Sequence, residues 1–407
     1  MTTAEAVIGL RTDQRAGGAL LRNLTMGLIS FLTFVDLFAA QAILPSLVER
    51  YGVSPGAMGL AVNAATIGMA AAGLAVAFFS RKINRRHGIG LSLAFLAIPT
   101  SLLSVAPDLT IFAGLRIVQG VFMATAFALT IAYLAERAGR IDTASALAAC
   151  ITGNVASNLV GRLVAASIVD IAGIGPTFLA FAVLNLAGAA LAYAALQRCT
   201  PATTETEAAR TPFAAWRAHL GDPALRAAFL LGFCILFIFI GTFTYVNFVL
   251  ARDPIGLSPM VLGLVYLVFV PSIVTTPVAG KLVDRIGMRT TLLGALGLTG
   301  AAMPLLLAPS LAPVLIGLAS IGVGTFLAQA VATGFVGRAA TADRGTASGI
   351  YIASYYLGGL AGAALLGQVF DGAGWPACVA ALGIATIVAL LLSLRLRLPA
   401  TDRPVRA

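Results

Sequence analysis

Charge is scarce in this chain. Only 10% of its 407 residues are Asp, Glu, Lys or Arg, against about 25% in a soluble domain, which excludes a soluble globular fold. Histidine is scarcer still. His87 and His219 are the only two and both fall between apolar runs, so an intramembrane enzyme built on histidine, paired acids or a bound metal has no residues to use. The four cysteines, Cys150, Cys199, Cys234 and Cys378, are scattered without paired or metal-ligand spacing and read as small core residues. No GxxxxGK[ST] loop and no attached soluble domain are present, which removes a nucleotide-driven pump. Neither a ring of charges nor a repeated filter segment points to a channel. No cofactor is called for, and the energy source must be an ion or solute gradient, a proton gradient first among them.

What is abundant is apolar sequence, 59% of the chain. Runs of about 20 residues, enough to cross a bilayer as a helix, recur with short connections, and transmembrane β-barrels lack such unbroken runs. The expected fold is an all-α integral membrane protein of twelve transmembrane helices. They are placed at residues 24–46, 56–79, 88–105, 110–135, 145–169 and 176–196, then 227–250, 259–279, 290–307, 312–336, 345–369 and 375–394. An N-tail (1–23), two six-helix bundles (24–196 and 227–394), a linker (197–226) and a C-tail (395–407) follow from these spans. Trp216 and Leu220 of the linker are expected on the membrane surface.

Basic residues test the topology. Of 26 Lys and Arg, two (Arg50, Arg252) fall in outer loops, two (Arg116, Arg162) within helices, and the remaining 22 in inner segments. The positive-inside rule then puts both termini in the cytoplasm, and the first apolar run is too long for a cleaved signal peptide. The net charge of +10 is thus a topology signal and implies no nucleic-acid partner; the partners are the lipid bilayer and a small solute, with the protein a monomer.

The two halves repeat. Val53-Ser54-Pro55 with Gly59-Leu60 recurs as Leu257-Ser258-Pro259 with Gly263-Leu264, and the same offset carries Arg81 onto Arg285 and Arg85 onto Arg289. Thr143-Ala144-Ser145 recurs as Thr346-Ala347-Ser348. Equal helix counts in equal orientation require a pseudo-two-fold axis along the membrane normal.

Of 16 acidic residues, 15 fall in loops, tails or helix ends and only Asp36 lies deep in a span. An ionised side chain at mid-bilayer costs about 2.5 to 3.5 kcal/mol on insertion scales, so a functional role is the default. Asp36 is roughly 18 Å above the inner face and Arg116 roughly 21 to 23 Å, at 1.5 Å per residue. The two can therefore meet, as a proton-coupling pair or as a static salt bridge between helices 1 and 4. Arg162, near the outer end of helix 5, is placed to bind an anionic substrate group, pair with Asp170, or snorkel. The amides Gln41, Asn63, Gln119, Asn154, Asn158, Asn247 and Gln329 and the phenols Tyr245, Tyr351 and Tyr355 are candidates to line a central cavity, or to bond helix to helix. On helix 11, Gly358, Gly359, Gly362 and Gly367 read as packing residues.

Gly280-Lys281-Leu282-Val283-Asp284-Arg285-Ile286-Gly287-Met288-Arg289 closely resembles the loop signature of the major facilitator superfamily. The copy between helices 2 and 3 is Ser80-Arg81-Lys82-Ile83-Asn84-Arg85-Arg86, with Ser80 where the aspartate would be. Arg116-Ile117-Val118-Gln119-Gly120 resembles the RxxQG signature of that family's drug:proton antiporter branch, although helix 5 has no GPxxGG signature. Gln41-Ala42-Ile43-Leu44-Pro45, Gly153-Asn154 with Gly161-Arg162, and Ala347-Ser348-Gly349-Ile350-Tyr351 with Tyr355-Tyr356-Leu357-Gly358 are similar to bacterial inner-membrane permeases described as arabinose-efflux-like. The resemblance covers nearly the whole chain. It implies secondary transport by alternating access at the bacterial inner membrane, exporting a small organic compound in exchange for protons. Proton-coupled uptake, or uniport, of a small solute that can be anionic is the alternative. It also implies a conformational gate at Gly280, Asp284, Arg285, Gly287 and Arg289, with Arg81 and Arg85 in the other half. Gly280 and Gly287 would permit a tight turn there, while Asp284 accepts hydrogen bonds from a helix N-terminus across the interface.

Overall fold

Helix starts in this protein are marked by capping residues that the sequence supplies. The computed structural model describes residues 20–79, 83–137, 140–196, 212–340 and 344–396. Ser54 caps helix 2, its Oγ accepting from the Ala57 amide (3.2 Å) just before Pro55. Asn84 caps helix 3 (Arg85–Leu102), and Asp222 caps helix 7 (Pro223–Leu250) by accepting from the amides of Ala224 (2.7 Å) and Leu225 (3.2 Å). Each cap satisfies amides that a helix N-terminus leaves free, and proline at the first position costs nothing there.

Helices 4 (Leu109–Arg137), 5 (Arg140–Ala172) and 6 (Ile174–Ala195) complete the first half. In the second, helix 8 (259–286) alternates α and 3₁₀ turns, followed by helix 9 (Met288–Ala302) and helix 10 (Leu311–Ala339). Arg344–Ser393 is helical apart from Gly374 (φ 77°, ψ −174°), which divides helix 11 from helix 12. Among the described residues ten segments are long and apolar enough to cross a membrane. Division of the last of them at Gly374, and addition of the shorter Leu20–Phe34 of helix 1, gives the expected twelve.

The internal repeat reaches the backbone. Gly52 (φ 62°) before helix 2 matches Gly256 (φ 60°) before helix 8, and Gly173 (φ 87°) between helices 5 and 6 matches Gly374 (φ 77°) between helices 11 and 12. These are left-handed conformations that favour glycine, at equivalent points of each half.

Helix 1 departs from expectation. It is helical over Leu20–Phe34, forms turns through residues 35–38, resumes at Ala39–Ala42 and continues after Ile43 as Leu44–Tyr51. Helix 2 is likewise interrupted at Ala64, between Pro55–Asn63 and Ala65–Phe79. No proline lies inside either break. The linker contributes a further helix, Pro212–Gly221. Its Trp216 and Leu220 border a crevice against helices 2, 7 and 11 with Leu74, Phe229, Ile350 and Leu357, and Leu220 stays 46% exposed.

Between the halves, helix 2 packs on helix 11, helix 5 on helix 8 and helix 1 on helix 7. At the end of the bundle away from the linker, Asp371 of helix 11 crosses this boundary. Its carboxylate accepts from Ser54 Oγ (2.7 Å) and from the Gly56 amide (3.1 Å), so it serves as a second cap on helix 2. Negative charge at a helix N-terminus is stabilising, although Asp371 is exposed and solvent screening holds the contact to about 1 kcal/mol. Asp371→Ala should therefore raise the population open at this end about fivefold. Spin labels on Glu49 and Arg252 would read this as growth of the longer-distance population; an unchanged distribution would deny Asp371 a sealing role.

Candidate functional site

The break in helix 1 frees backbone carbonyls deep in the first half, and Arg116 takes them. Its Nη2 donates to the Leu37 carbonyl (2.7 Å), its Nη1 to the Asp36 carbonyl (3.4 Å) and to Gln119 Oε1 (2.8 Å). Its Nε donates to the carbonyl of Val62, at the break in helix 2 (2.9 Å). One buried guanidinium thus holds two interrupted helices, and each carbonyl it satisfies would otherwise cost about 1–3 kcal/mol.

Asp36 sits on this break, 2% exposed. Its carboxylate and Arg116 do not form the direct pair expected. Among the described residues no side-chain ion pair joins them. Asp36 Oδ2 accepts from Thr100 Oγ1 (3.1 Å), Gln119 Nε2 (3.1 Å) and Asn185 Nδ2 (3.2 Å), and Gln119 relays the contact to Arg116. Among the described residues Asp36 Oδ1 is buried without a partner, as is Asn185 Oδ1. The cluster lies inside the first half, among helices 1, 3, 4 and 6, so Gln119 belongs to it and lines no central cavity. Thr100 and Asn185 were not anticipated. An amide amid the apolar run of helix 6 was the available signal for Asn185; a threonine gave none.

A second cluster lies between the halves. Gln41 Nε2 donates to Asn63 Oδ1 (2.7 Å) and Thr244 Oγ1 (3.4 Å), and Asn63 Nδ2 to Thr244 Oγ1 (3.1 Å). Asn247 Nδ2 donates to the Gln41 carbonyl (3.1 Å) and Asn247 Oδ1 accepts from Tyr266 Oη (2.7 Å). Arg162 Nη2 donates to Gln41 Oε1. The guanidinium, 0% exposed, lies 4.0 Å from the Tyr266 ring centre, 5.1 Å from Phe269, 5.3 Å from Phe38 and 5.7 Å from Phe243. Such contacts contribute about 0.5–2 kcal/mol each, more when desolvated. Arg162 makes no pair with Asp170 and does not snorkel to an interface.

The other amides and phenols expected in the cavity divide. Asn158 is buried one turn from Arg162 on helix 5 with Oδ1 unpartnered, and Asn154 is half-buried. Tyr245 is a packing bolt rather than a cavity residue, its hydroxyl donating to the Ala363 carbonyl of helix 11. Tyr351 stacks on Tyr355 (6.3 Å), which meets Tyr356 edge-on (5.5 Å), and Gln329 is half-buried on helix 10.

The gate motif is also redistributed. Gly287 makes the turn between helices 8 and 9 (φ 85°), but Gly280 lies within the helix Ala279–Ile286 and turns nothing. Asp284, Arg285 and Arg289 are exposed, and among the described residues Asp284 makes no hydrogen bond or ion pair. The helix-capping contact foreseen for Asp284 is made at the opposite end by Asp371. Arg85 is buried at the start of helix 3; Arg81 lies outside the described residues.

Comparison with known proteins agrees with this architecture. The chain is 25% identical over 381 residues to the uncharacterized MFS-type transporter YybF of Bacillus subtilis, covering 93% of this chain and 94% of that one. It is 26% identical over 376 residues to the inner membrane transport protein YnfM of Escherichia coli, covering 92% and 90%. A solved bacterial homolog of the human lysosomal transporter Spinster, in an inward-facing and unoccupied conformation, shares the fold with a TM-score of 0.67 at 16% identity, over 93% of this chain and 94% of that one. The occupied form of that homolog gives 0.70 at 13% identity, over 92% and 93%. The model of the Major Facilitator Superfamily matches residues 26–269 and 250–407, and with twelve helices in two repeated halves about a buried polar seam, the chain belongs to that superfamily and is a membrane transporter.

Proposed function

We propose that this transporter exports a small organic solute in exchange for protons, with Asp36 as the proton site. The carrying observation is the position of Asp36 on the unwound segment of helix 1, with Oδ1 buried and unpartnered. Protonation turns that orphan acceptor into a donor and removes a charge from an apolar interior, where it is costly. The same four-residue break leads directly to the seam between the halves: Leu37 is held by Arg116, Phe38 faces the Arg162 guanidinium, and Gln41 bonds Arg162, Asn63 and Thr244. A change in charge at Asp36 therefore acts on the segment that lines the seam. Helices 1–6 (24–196) and 7–12 (227–394) are the bodies that rock, with the termini and linker in the cytoplasm and the protein a monomer in the bacterial inner membrane. The resemblance of Arg116–Gly120 to the antiporter signature supports exchange over uptake.

Purified protein in liposomes with an imposed pH gradient, offered a panel of organic solutes, tests this reading. Asp36→Asn should abolish gradient-driven movement while solute-for-solute counterflow continues. Gradient-driven transport at the wild-type rate in a correctly folded Asp36→Asn protein would remove the proton assignment.

A further inference from the structure

We infer that the transported solute is an organic monoanion, a carboxylate on an apolar body, and that Arg162 receives the carboxylate. The inference rests on the transport reading and names the substrate class of the seam between the halves.

Arg162 carries a full positive charge with no exposure at all, and among the described residues its only hydrogen bond is from Nη2 to Gln41. Nε and Nη1 are buried with no partner among those residues. Among the described residues no carboxylate comes within ion-pair distance. A guanidinium in apolar surroundings ordinarily has its donors satisfied and its charge paired, and Arg116, in the same half, shows how this chain satisfies one: four acceptors for its three nitrogens. Arg162 departs from that pattern at the boundary that alternating access must open. Whichever Nη2 hydrogen Gln41 takes, the other one forms a two-pronged edge with idle Nε or with idle Nη1, the arrangement through which arginine binds a planar carboxylate.

The surroundings define the rest of the solute. Phe38 from the first half and Phe243, Tyr266 and Phe269 from the second surround the guanidinium, and Phe239 extends the ring cluster, 5.9 Å from Phe38 and 5.7 Å from Phe269. An apolar or aromatic body fits rings of this kind, whereas a polyol would leave its hydroxyls unpaired among them. A single cation calls for a single negative charge. Asn158, four residues before Arg162 and on the same helix face, has an unpartnered Oδ1 that can accept from a hydroxyl or N–H on the solute.

The test uses detergent-purified full-length protein in chloride-free buffer, with matched acid and amide probes: benzoate and benzamide, phenylacetate and phenylacetamide, hexanoate and hexanamide. At least one acid should raise the thermal unfolding midpoint by a few degrees while its amide does not, since a ligand bound only by the folded state stabilises it. Arg162→Gln should lose that shift, and Arg162→Lys should retain it with affinity weakened about tenfold, because lysine keeps the charge and loses the fork. Loss of the shift in Arg162→Gln counts only with an unliganded midpoint at or above wild type, the result expected on removing an uncompensated charge; if that variant is unstable, the Arg162→Lys affinity decides. Equal shifts from acid and amide, a shift that survives Arg162→Gln, reproduction of the shift by chloride, or no shift from any acid would overturn the assignment. Counterflow of the same labelled probes in liposomes separates the two readings. Arg162-dependent binding without counterflow keeps the anion site and removes transport, whereas counterflow of the amides alone removes the anion site and keeps transport.

Discussion

Replacement of Arg116 by methionine should cost more stability than any other single change in the first half. It leaves the carbonyls of Leu37 and Val62 and the Oε1 of Gln119 without the donors they have now. At about 1–3 kcal/mol for each buried acceptor left unsatisfied, the loss reaches about 5 kcal/mol. The methionine side chain fills much of the space, so the effect is one of hydrogen bonding rather than of a cavity. Arg116→Lys keeps the charge but cannot span both helix breaks, and should fall between wild type and Arg116→Met in thermal unfolding. The comparison with Asp36 separates two roles. If Arg116 were chiefly a counter-ion to Asp36, the double variant Arg116→Met, Asp36→Asn would recover stability; if it is a clamp on backbone carbonyls, removing the acid recovers almost nothing. Wild-type unfolding of Arg116→Met would end the clamp reading.

Valine at Gly120 should be nearly as damaging, for a steric reason. A Cβ at Gly120 would land on the Ala65 carbonyl oxygen, 2.7 Å from its carbon and 3.0 Å from the Met69 nitrogen. One at Gly68 would meet the Ile117 carbonyl oxygen, 2.8 Å from the Val121 nitrogen. Helices 2 and 4 therefore touch backbone to backbone at this pair of glycines, a packing that small residues permit within a membrane. Overpacking costs about 1–3 kcal/mol and occasionally more. Here it also draws Arg116 away from the Val62 carbonyl, so the Arg116→Met and Gly120→Val losses should fall short of additivity in a double-mutant cycle of unfolding midpoints. Full additivity would show that the crossing and the clamp are independent.

These two residues explain what a five-residue motif does and how much of it sequence could convey. The helices of Arg116-Ile117-Val118-Gln119-Gly120 and of every other span are legible because apolar runs must cross the bilayer, whereas the caps at Ser54 and Asp222 fix where helices 2 and 7 begin, the second four residues ahead of the expected start at residue 227. The repeat was legible too, since Ser54 and Ser258 precede helices 2 and 8 at equivalent points. The break at residues 35–38 was not. Val35, Asp36, Leu37 and Phe38 contain neither glycine nor proline, and the donor that satisfies the freed carbonyls lies 79 residues away from Leu37. Hence Arg116 read as a partner for the Asp36 side chain when its main business is with backbone. Depth alone brought the two residues to one level but could not say which atoms meet. In the same way the Gly280–Arg289 motif announced a carboxylate capping a helix across the boundary, while the cap in this structure is a different one, made at the opposite end of the bundle by Asp371, an acid at a helix end with no motif around it. Arg162 was the most ambiguous of the buried charges in sequence, and only the absence of a described partner for Nε and Nη1 distinguishes a receptor for an anion from an ordinary salt bridge.

The Asp371 contact has an unequal counterpart. Asp170 ends helix 5 as Asp371 ends helix 11, yet it is exposed and among the described residues bonds to nothing at the start of helix 8, where Gly263 instead lies against the Ala166 methyl. One flank of the molecule is latched and the other merely rests. When the halves part at this end, the unlatched flank has the smaller barrier to cross and should separate first, so that the opening widens as a wedge turning about the latched edge and solvent enters from one side.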